Sequence, residues 1–417
     1  MKLAFDRASW RRWLLLAGGL LGKEIQETVR TRIGRDRGRD ATARLRAVLA
    51  SQSARELTES LADPSPEVAR AAVRRLAELE GRRAAPPLQA WLLGPDLSLV
   101  AEIARALRRI GDRFAVDLAI AGLTEEPYVR RLAAARALGI LSDPCAAGPL
   151  RAALDDEIAG VRVAALGALA ELAVAAAAGD CARLLSDSEA YVRIAAVRAV
   201  ARTATRAGSM LAAVAHDEDR LVRLEVAQHV ARLPERAAGS LLADPDLRVR
   251  EAAAQAAGMG QAGALAVLLR DDPSADVRRA AAQTLGSLGG AQIAEMLVPA
   301  LEDPDAVVRA AALRALERLI TRGGAVSRLC QELISDRPKR RCASVYALAH
   351  LDALEASEEV GRLVNDPDPD VRLALIHTAR SLLPNPEALL RYLTSDGDAT
   401  VRNSAENRLL RPPSAEV

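Results

Sequence analysis

The sequence is poor in aromatic and chemically reactive residues. Among its 417 residues there are three Trp, four Tyr, two Phe, four His and four Cys. Sheet cores are rich in aromatic and β-branched side chains. Here Ala alone supplies about a fifth of the chain, and Ala is the strongest helix former. The composition therefore excludes an all-β fold and predicts a mostly helical protein.

Closely spaced cysteines and long apolar runs are also missing. Cys145, Cys181, Cys330 and Cys342 form no C-x-x-C pair that would hold zinc or a redox dithiol. We expect them to be reduced, buried side chains in a cytoplasmic protein. The longest apolar run, Trp13 to Gly22, has ten residues, whereas a membrane span needs about 18. No small-residue cleavage site follows this run, so a signal peptide is not favoured.

Internal repetition dominates the rest of the sequence. Nine times a Val-Arg pair opens an Ala/Leu-rich stretch, and the spacing averages about 30 residues, a period typical of helical repeat arrays. Weaker copies stand at Val68, Val100 and near Arg341. The nine pairs are Val129-Arg130, Val161-Arg162, Val192-Arg193, Val222-Arg223, Val249-Arg250, Val277-Arg278, Val308-Arg309, Val371-Arg372 and Val401-Arg402.

Each repeat reads as two helices. An Asp five residues before the Val, often followed by Pro, is expected to begin the first helix, because its carboxylate can accept the free N–H groups of the first turn. Apolar residues then recur at helical spacing, as Ala281, Leu285 and Leu288 do after Val277. A Gly or polar break and a second apolar segment complete the repeat. The pattern predicts an all-α fold, a right-handed α-solenoid of about twelve antiparallel helix pairs.

The stretch from Asp272 to Leu288 follows the pattern D-P-x-x-x-V-R-x-x-A-A-x-x-L-G-x-L almost completely. It resembles the HEAT-repeat family, an armadillo-type fold, in the short bacterial variant also found in phycobilisome-lyase-like proteins. This resemblance implies that repeated Asp and Arg residues form a structural ladder of hydrogen bonds along the stack. The ladder residues are Asp244, Arg250, Asp272, Arg278, Asp303, Arg309, Asp366, Arg372, Asp396 and Arg402.

Three positions depart from the family pattern. Ala69, Ala101 and Cys342 stand where the Arg belongs. We therefore expect the ladder to be interrupted in the first two repeats and around residue 340.

No group of residues in the repeats predicts catalysis, a cofactor or a metal. His216, His229, His350 and His377 lack partners at ligand spacing. None of them is followed by Glu, whereas deoxyhypusine hydroxylase, an iron enzyme on similar repeats, relies on His-Glu pairs. The G-x-G-x-x-G match that begins at Gly258 is expected to be a turn between helices, because it does not follow a strand.

Charge is concentrated at the N-terminus. Residues 1–46 hold twelve Lys or Arg and five Asp or Glu, although the whole chain has a net charge of only +2. The repeats are therefore not basic, which does not favour binding of a nucleic-acid backbone.

The N-terminal segment is the one departure from the repeats. It carries an apolar stripe at helical spacing between basic residues, formed by Trp10, Trp13, Leu14, Leu20 and Leu21 among others. This stripe could cap the open end of the first repeat, anchor the chain at an anionic lipid surface or dock a partner protein. We divide the chain into a basic amphipathic helix and hinge at 1–39, a solenoid at 40–410 and a flexible tail at 411–417.

These observations favour a non-enzymatic scaffold that binds a protein or peptide on the concave face of the solenoid, with the second helices of the repeats lining that face. A bilin-lyase-like, chromophore-handling protein is the alternative from another class, and a nucleic-acid binder is a further one. We expect the chain in the cytoplasm, with peripheral contact at the inner face of the membrane through residues 1–34 as an open alternative.

Overall fold

The computed structural model of the protein describes residues 41–320 and 325–410. Within these ranges it contains helices and no β-strand, as the composition predicted. The chain divides into two compact units, of which unit 1 ends at Leu211 and unit 2 begins at Ala212.

Every repeat has a first helix, which begins close to the Val-Arg pair or its equivalent, and a second helix that follows it. In unit 1 the first helices are Ala41–Ala50, Pro66–Glu80, Leu97–Ile110, Tyr128–Leu141, Ala159–Leu172 and Ala190–Thr203. The second helices of unit 1 are Ala54–Ser60, Ala85–Gln89, Phe114–Gly122, Ala147–Ala152, Ala178–Arg183 and Ala207–Leu211. Short 3-10 turns at Gly81–Ala84, Pro144–Ala146, Ala153–Asp155, Ala175–Ala177 and Leu184–Ser186 flank them.

Unit 2 repeats the same order. Its first helices are Arg220–Ala227, Leu247–Ala256, Ala275–Leu288, Ala306–Ile320, Pro338–His350, Pro369–Leu382 and Ala399–Leu410. Its second helices are Glu235–Leu242, Ala262–Asp271, Ala291–Leu297, Ala325–Glu332, Ser357–Gly361 and Pro386–Leu393. The 3-10 turns are Ala212–Val214, Val230–Arg232, Met259–Gln261, Val298–Glu302, Leu354–Ala356 and Arg362–Asn365. Each unit is therefore a stack of helix pairs, an α-solenoid.

The start of the first helix differs from the sequence prediction. Asp272 is the C-cap of Ala262–Asp271, and the N-cap of the next helix is Ser274, two residues later. The Asp272 carboxylate accepts the N–H of Ser274 at 2.9 Å, so it orders the link between the two helices. The expectation that this Asp caps the first helix was therefore wrong. Both of its carboxylate oxygens accept hydrogen bonds from Arg250 of the preceding repeat.

The apolar stripe predicted on the first helix is buried except at its end, where Leu288 is half-buried. Val277, Ala281 and Leu285 are completely covered. A core of such small and medium-sized side chains lets the helices approach closely and pack densely.

First helices of neighbouring repeats make the closest contacts. A Cβ on Gly139 would lie 2.9 Å from the Cα of Ala168 in the next first helix. In unit 2, a Cβ on Gly286 would lie 2.7 Å from the Cα of Ala315. These two glycines therefore let the backbones of neighbouring first helices approach more closely than a Cβ would allow.

The short glycine-rich stretch at Gly258 is a turn, as expected. It leads from helix Leu247–Ala256 through the 3-10 turn Met259–Gln261 to helix Ala262–Asp271. No strand precedes it within the described part of unit 2, so the geometry of a dinucleotide-binding loop is absent there.

Candidate functional site

Most repeats are joined by ion pairs between an Arg at the fourth position of the first helix and the Asp that precedes the next first helix. Arg278 is the fourth residue of Ala275–Leu288, and its Nε and second terminal nitrogen donate to the two carboxylate oxygens of Asp303 at 2.7 and 2.9 Å. Its remaining terminal nitrogen donates to the backbone carbonyl of Asp272 at 2.9 Å. One guanidinium therefore ties its own repeat to the next through bidentate geometry.

The same arrangement recurs along both units, and we call these contacts the inter-repeat ion pairs. In unit 2 they join Arg223 to Asp244, Arg250 to Asp272, Arg278 to Asp303, Arg341 to Asp366, and Arg372 to Asp396. In unit 1 they join Arg44 to Asp63, Arg131 to Asp156, and Arg162 to Asp187.

The structure thus brings the sequence-selected Asp and Arg residues together in two ways. Within a repeat, the Arg contacts only the backbone carbonyl of its own Asp, as Arg309 does with Asp303 at 2.7 Å and Arg402 with Asp396 at 2.7 Å. Between repeats, the Arg binds the carboxylate of the following Asp, as Arg372 does with Asp396. Within one repeat, therefore, the Arg is held by a backbone carbonyl, whereas the carboxylate bonds that form the ladder join neighbouring repeats.

Two repeats had been assigned in the wrong register. The residue that binds Asp156 is Arg131, not Arg130, and the residue that binds Asp366 is Arg341. In both helices an Arg replaces Val at the third position, so the Val-Arg pair misplaces the helix start by one residue. Cys342 consequently does not interrupt the ion pairs around residue 340.

In the first two complete repeats the arginine is missing, as expected. Ala69 is the fourth residue of Pro66–Glu80 and Val100 is the fourth residue of Leu97–Ile110. Both side chains are buried. The sequence had named Ala101 instead of Val100, which is the same one-residue error in the helix start.

Three carboxylates of these pairs, Asp187, Asp303 and Asp396, have a pKa below the ordinary value. The bidentate bond from Arg372 holds the pKa of Asp396 below its usual value, against the opposing effect of burial. For Asp303, burial has the largest single effect and raises the pKa. The hydrogen bonds from Arg278 and from the N–H of Asp305 together outweigh burial, so the net pKa is lowered. These acids therefore stay ionised at neutral pH and hold the arginines of the preceding repeats.

The four thiols are poorly suited to nucleophilic chemistry. Burial raises the pKa of Cys181 and Cys342 to about 11, and it also raises the pKa of Cys330. Cys145 is exposed, contrary to the prediction that all four cysteines are buried. A hydrogen bond to Asp143 raises its pKa to about 11, so it too is a protonated thiol at neutral pH.

Metal-ligating side chains do not converge in the part of the chain that the structure describes. Over residues 41–320 and 325–410, no group of three His, Cys, Asp or Glu side chains could hold an ion. His377 lies beside Tyr346 of the neighbouring repeat, with its Nδ1 3.0 Å from the Tyr hydroxyl. These two side chains form an exposed polar contact and not a ligand set.

The most regular exposed feature is a row of side chains along the first helices of unit 1. Each member is the ninth residue of its first helix, and successive members are 31 residues apart along the chain. The members are Arg74, Arg105, Arg136, Gly167 and Arg198. All five positions are exposed. We call the four Arg side chains, with Gly167 as the fourth position, the arginine row.

A second row runs beside the arginine row. Ala101, Leu132, Val163 and Ile194 precede the last four row members by four residues and are half-buried, while the position before Arg74 is Arg70. Residues four apart lie on one face of a helix, one turn from each other. The first helices of unit 1 therefore present a strip of apolar side chains, the apolar row, next to a strip of guanidinium groups.

Glu102 is buried between the first two arginines. It lies 2.8 Å from Arg105 and 4.0 Å from Arg74. The side chains of Arg74 and Arg105 are each 55% exposed. One carboxylate is therefore shared by two cations that still face solvent. Arg136 has no hydrogen bond or ion pair within the described residues of unit 1.

In unit 2 the equivalent positions are mostly uncharged. They are Gln228, Gln255, Gln283, Arg314, Tyr346, His377 and Asn407, and all of them are exposed. Sequence reasoning missed both rows because it counted from the Val, whose position shifts by one residue between repeats. The constant 31-residue spacing in unit 1 would have revealed them.

Other sequence-selected features lie elsewhere. Trp10, Trp13, Leu14, Leu20 and Leu21 fall outside the described residues. Within the ranges that the structure describes, no helix combines the length and apolar character that crossing a bilayer demands.

Comparison with known proteins concerns the repeats. A family model described as HEAT repeats matches residues 54–139 and 262–327, and one described as PBS lyase HEAT-like repeat matches residues 130–156. A search of curated proteins finds no match.

Solved structures with a similar course of the chain include an engineered protein, at 19% identity and a TM-score of 0.31, which covers 85% of this chain and 98% of its own. Kap121p bound to Ste12p is 13% identical with a TM-score of 0.47, and the match covers 93% of this chain but 49% of Kap121p. The chain thus spans about half the length of Kap121p. We draw no conclusion from these structural similarities, because both TM-scores are below 0.5.

The matched ranges consist of the helix pairs described above. The chain therefore contains HEAT-like repeats, in residues 54–156 and 262–327.

Proposed function

We propose that this protein is a non-enzymatic scaffold that binds a protein or peptide along the first helices of its repeats. The observation that carries this proposal is the exposed row, in which one side chain of each first helix takes the same place in successive repeats. A surface built from equivalent positions offers many weak contacts over a long distance and suits an extended partner.

The chemistry of the described residues supports a binding role over a catalytic one. The buried acids and arginines are used in pairs that join repeats. The four thiols all have a raised pKa. Catalytic groups usually converge in a pocket with pKa values matched to a reaction. The inter-repeat ion pairs are spread along the stack instead, between most pairs of neighbouring repeats.

Photo-crosslinking from single positions tests the proposal. A photoreactive amino acid is placed at Arg136 or Gln283 on the first helices, and at Ala152 or Val267, which are exposed on second helices, as matched controls. We expect one crosslinked protein from the first-helix positions in the native host, which then binds the purified chain in a titration. Equal crosslinking from all four positions, or failure of the purified candidate to bind, would contradict the proposal.

A bilin-handling role predicts a different result. Purified protein mixed with a bilin would acquire visible absorbance that remains after gel filtration. We expect none, because the scaffold proposal requires no chromophore.

The N-terminal segment remains a separate proposal. We place the protein in the cytoplasm and propose that Trp10, Trp13, Leu14, Leu20 and Leu21 contact a partner, the first repeat or an anionic membrane surface. Flotation with anionic vesicles, comparing the full chain with one that lacks residues 1–34, decides the membrane contact. Loss of flotation in the shorter chain supports it, and equal flotation of both chains contradicts it.

A further inference from the structure

We infer that unit 1 binds an extended, acidic polypeptide segment that also carries apolar side chains, and that this segment lies along the arginine row and the apolar row. This inference rests on the proposed scaffold function and names the chemistry of the partner for one of the two units. It concerns residues 41–211 only.

Charge complementarity selects the acidic partner. Four of the five row positions are Arg, and Arg74 and Arg105 are 55% exposed while sharing one carboxylate. Arg136 adds a guanidinium that is not neutralised by a described neighbour. A carboxylate can accept two hydrogen bonds from one guanidinium, so each Arg of the row is a directed contact point for an acidic side chain.

The neighbouring apolar row selects a segment that is not uniformly acidic. Leu132, Val163 and Ile194 are half-buried beside the arginines. Covering them with apolar groups of a partner removes their remaining surface from water, which strengthens binding. A partner made only of charged residues would leave this strip exposed.

Spacing distinguishes an extended peptide from other polyanions. Neighbouring packed helices lie about 8–10 Å apart, and an extended chain in the polyproline II conformation advances about 3.1 Å per residue and returns to the same face every three residues. Every third residue of an extended peptide therefore meets the next arginine. Nucleic-acid binding, by contrast, is favoured by stacking aromatic side chains, and the row and its apolar neighbour contain none.

Gly167 makes the fourth position different from the others. It lies inside helix Ala159–Leu172, and a Cβ there would have no atom within 4 Å. The gap between Arg136 and Arg198 thus leaves room for a larger apolar side chain of the partner. It also offers a position where a new side chain can be introduced without a clash.

The test uses the full chain and a fluorescein-labelled peptide of about 15 residues, in which every third residue is Glu except for a Leu at the position that meets Gly167. Fluorescence anisotropy gives its dissociation constant. Charge reversal in Arg136→Glu should weaken binding about tenfold or more. Arg270→Glu, at an exposed position on a second helix of unit 2, is the matched control and should change the dissociation constant less than twofold. Circular dichroism confirms that both variants are folded.

A second variant checks the register without removing any native contact. Gly167→Arg completes the row. It should weaken binding of the Leu-containing peptide and strengthen, by about tenfold, binding of a peptide with Glu at that position. A scrambled peptide of the same composition should bind more weakly than the ordered one to the wild-type chain.

Three results would overturn the inference. They are equal effects of Arg136→Glu and Arg270→Glu, no preference of Gly167→Arg for the Glu peptide, and tighter binding of a single-stranded oligonucleotide of matched length than of the peptide. The last result would identify a phosphate-binding surface. If the peptide does not bind but crosslinking from Gln283 still yields a partner that binds the purified chain, the inference fails while the scaffold proposal stands.

Discussion

Removing one arginine of an inter-repeat ion pair should strongly destabilise the packing between the two repeats that it joins. In Arg278→Ala the carboxylate of Asp303 loses two hydrogen bonds, at 2.7 and 2.9 Å. The side chains of the pair are 11% and 6% exposed. Removing one partner of a buried pair costs about 3–5 kcal/mol, because the other charge remains buried without compensation. Since Arg278 has some contact with water, we expect about 3 kcal/mol, near the lower end.

The assay must report on individual repeats, because repeat arrays often unfold without all-or-none behaviour. Hydrogen exchange followed by mass spectrometry measures the opening of helices Ala275–Leu288 and Ala306–Ile320 separately from the rest of unit 2. A loss of about 3 kcal/mol corresponds to roughly a hundredfold faster exchange where exchange follows local opening. Helix Pro369–Leu382, two repeats further along, should change much less.

Arg270→Ala is the control. Arg270 pairs with Asp271, and the two side chains are 66% and 54% exposed, so solvent already compensates both charges. We expect no measurable change in exchange. If Arg278→Ala and Arg270→Ala accelerate exchange equally, the inter-repeat ion pairs do not hold the stack together and the reasoning is refuted.

Two further outcomes follow from the same packing. Arg372 lowers the pKa of Asp396, so the ionised Asp396 stabilises the fold above the ordinary Asp pKa, and this stabilisation is lost as the pH falls through the lowered native value. Asp396→Asn should therefore lower the urea midpoint at pH 7 and lower it progressively less as the pH falls. A difference between variant and wild type that stays constant with pH would contradict this. Gly286→Ala should cost about 1–3 kcal/mol through the clash with Ala315, whereas Gly239→Ala, with open space around it, should stabilise its helix by about 0.5–1 kcal/mol, as measured by urea unfolding of each variant.

The fold could be predicted from the sequence because its causes are local and repeated. Small apolar residues at helical spacing specify the helices, and no single helix can bury its stripe without its neighbours. Val277, Ala281 and Leu285 are buried where the pattern placed them. The same information recurs in each repeat, so an error in one copy does not change the architecture.

Exact helix starts were harder to predict. The Asp before Pro looked like an N-cap, but its carboxylate is used by the arginine of the preceding repeat, as Asp303 is used by Arg278. Such a partner about one repeat away in sequence cannot be recognised from local preference. Where Arg replaced Val before Arg131 and Arg341, the register slipped by one residue.

The candidate surface could not be predicted for the same reason. Whether a side chain at one position faces solvent or a neighbour depends on the helix register, and a slip of one residue rotates it by about 100°. With the starts fixed by structure, Arg74, Arg105, Arg136 and Arg198 fall into one row. Counting from the Val placed them at differing offsets.

The central claim is that the arginines of this protein divide into those that join repeats and those that face a partner. The most direct test is a titration of the acidic peptide into Arg162→Ala and Arg136→Ala, at a temperature where both show the wild-type helical signal. Arg162 binds Asp187 in an inter-repeat ion pair, so Arg162→Ala should lower the stability but leave the affinity for the peptide within about twofold of wild type. Arg136→Ala should lower the affinity but leave the stability unchanged. An affinity that falls equally in both variants, or only in Arg162→Ala, would contradict the division.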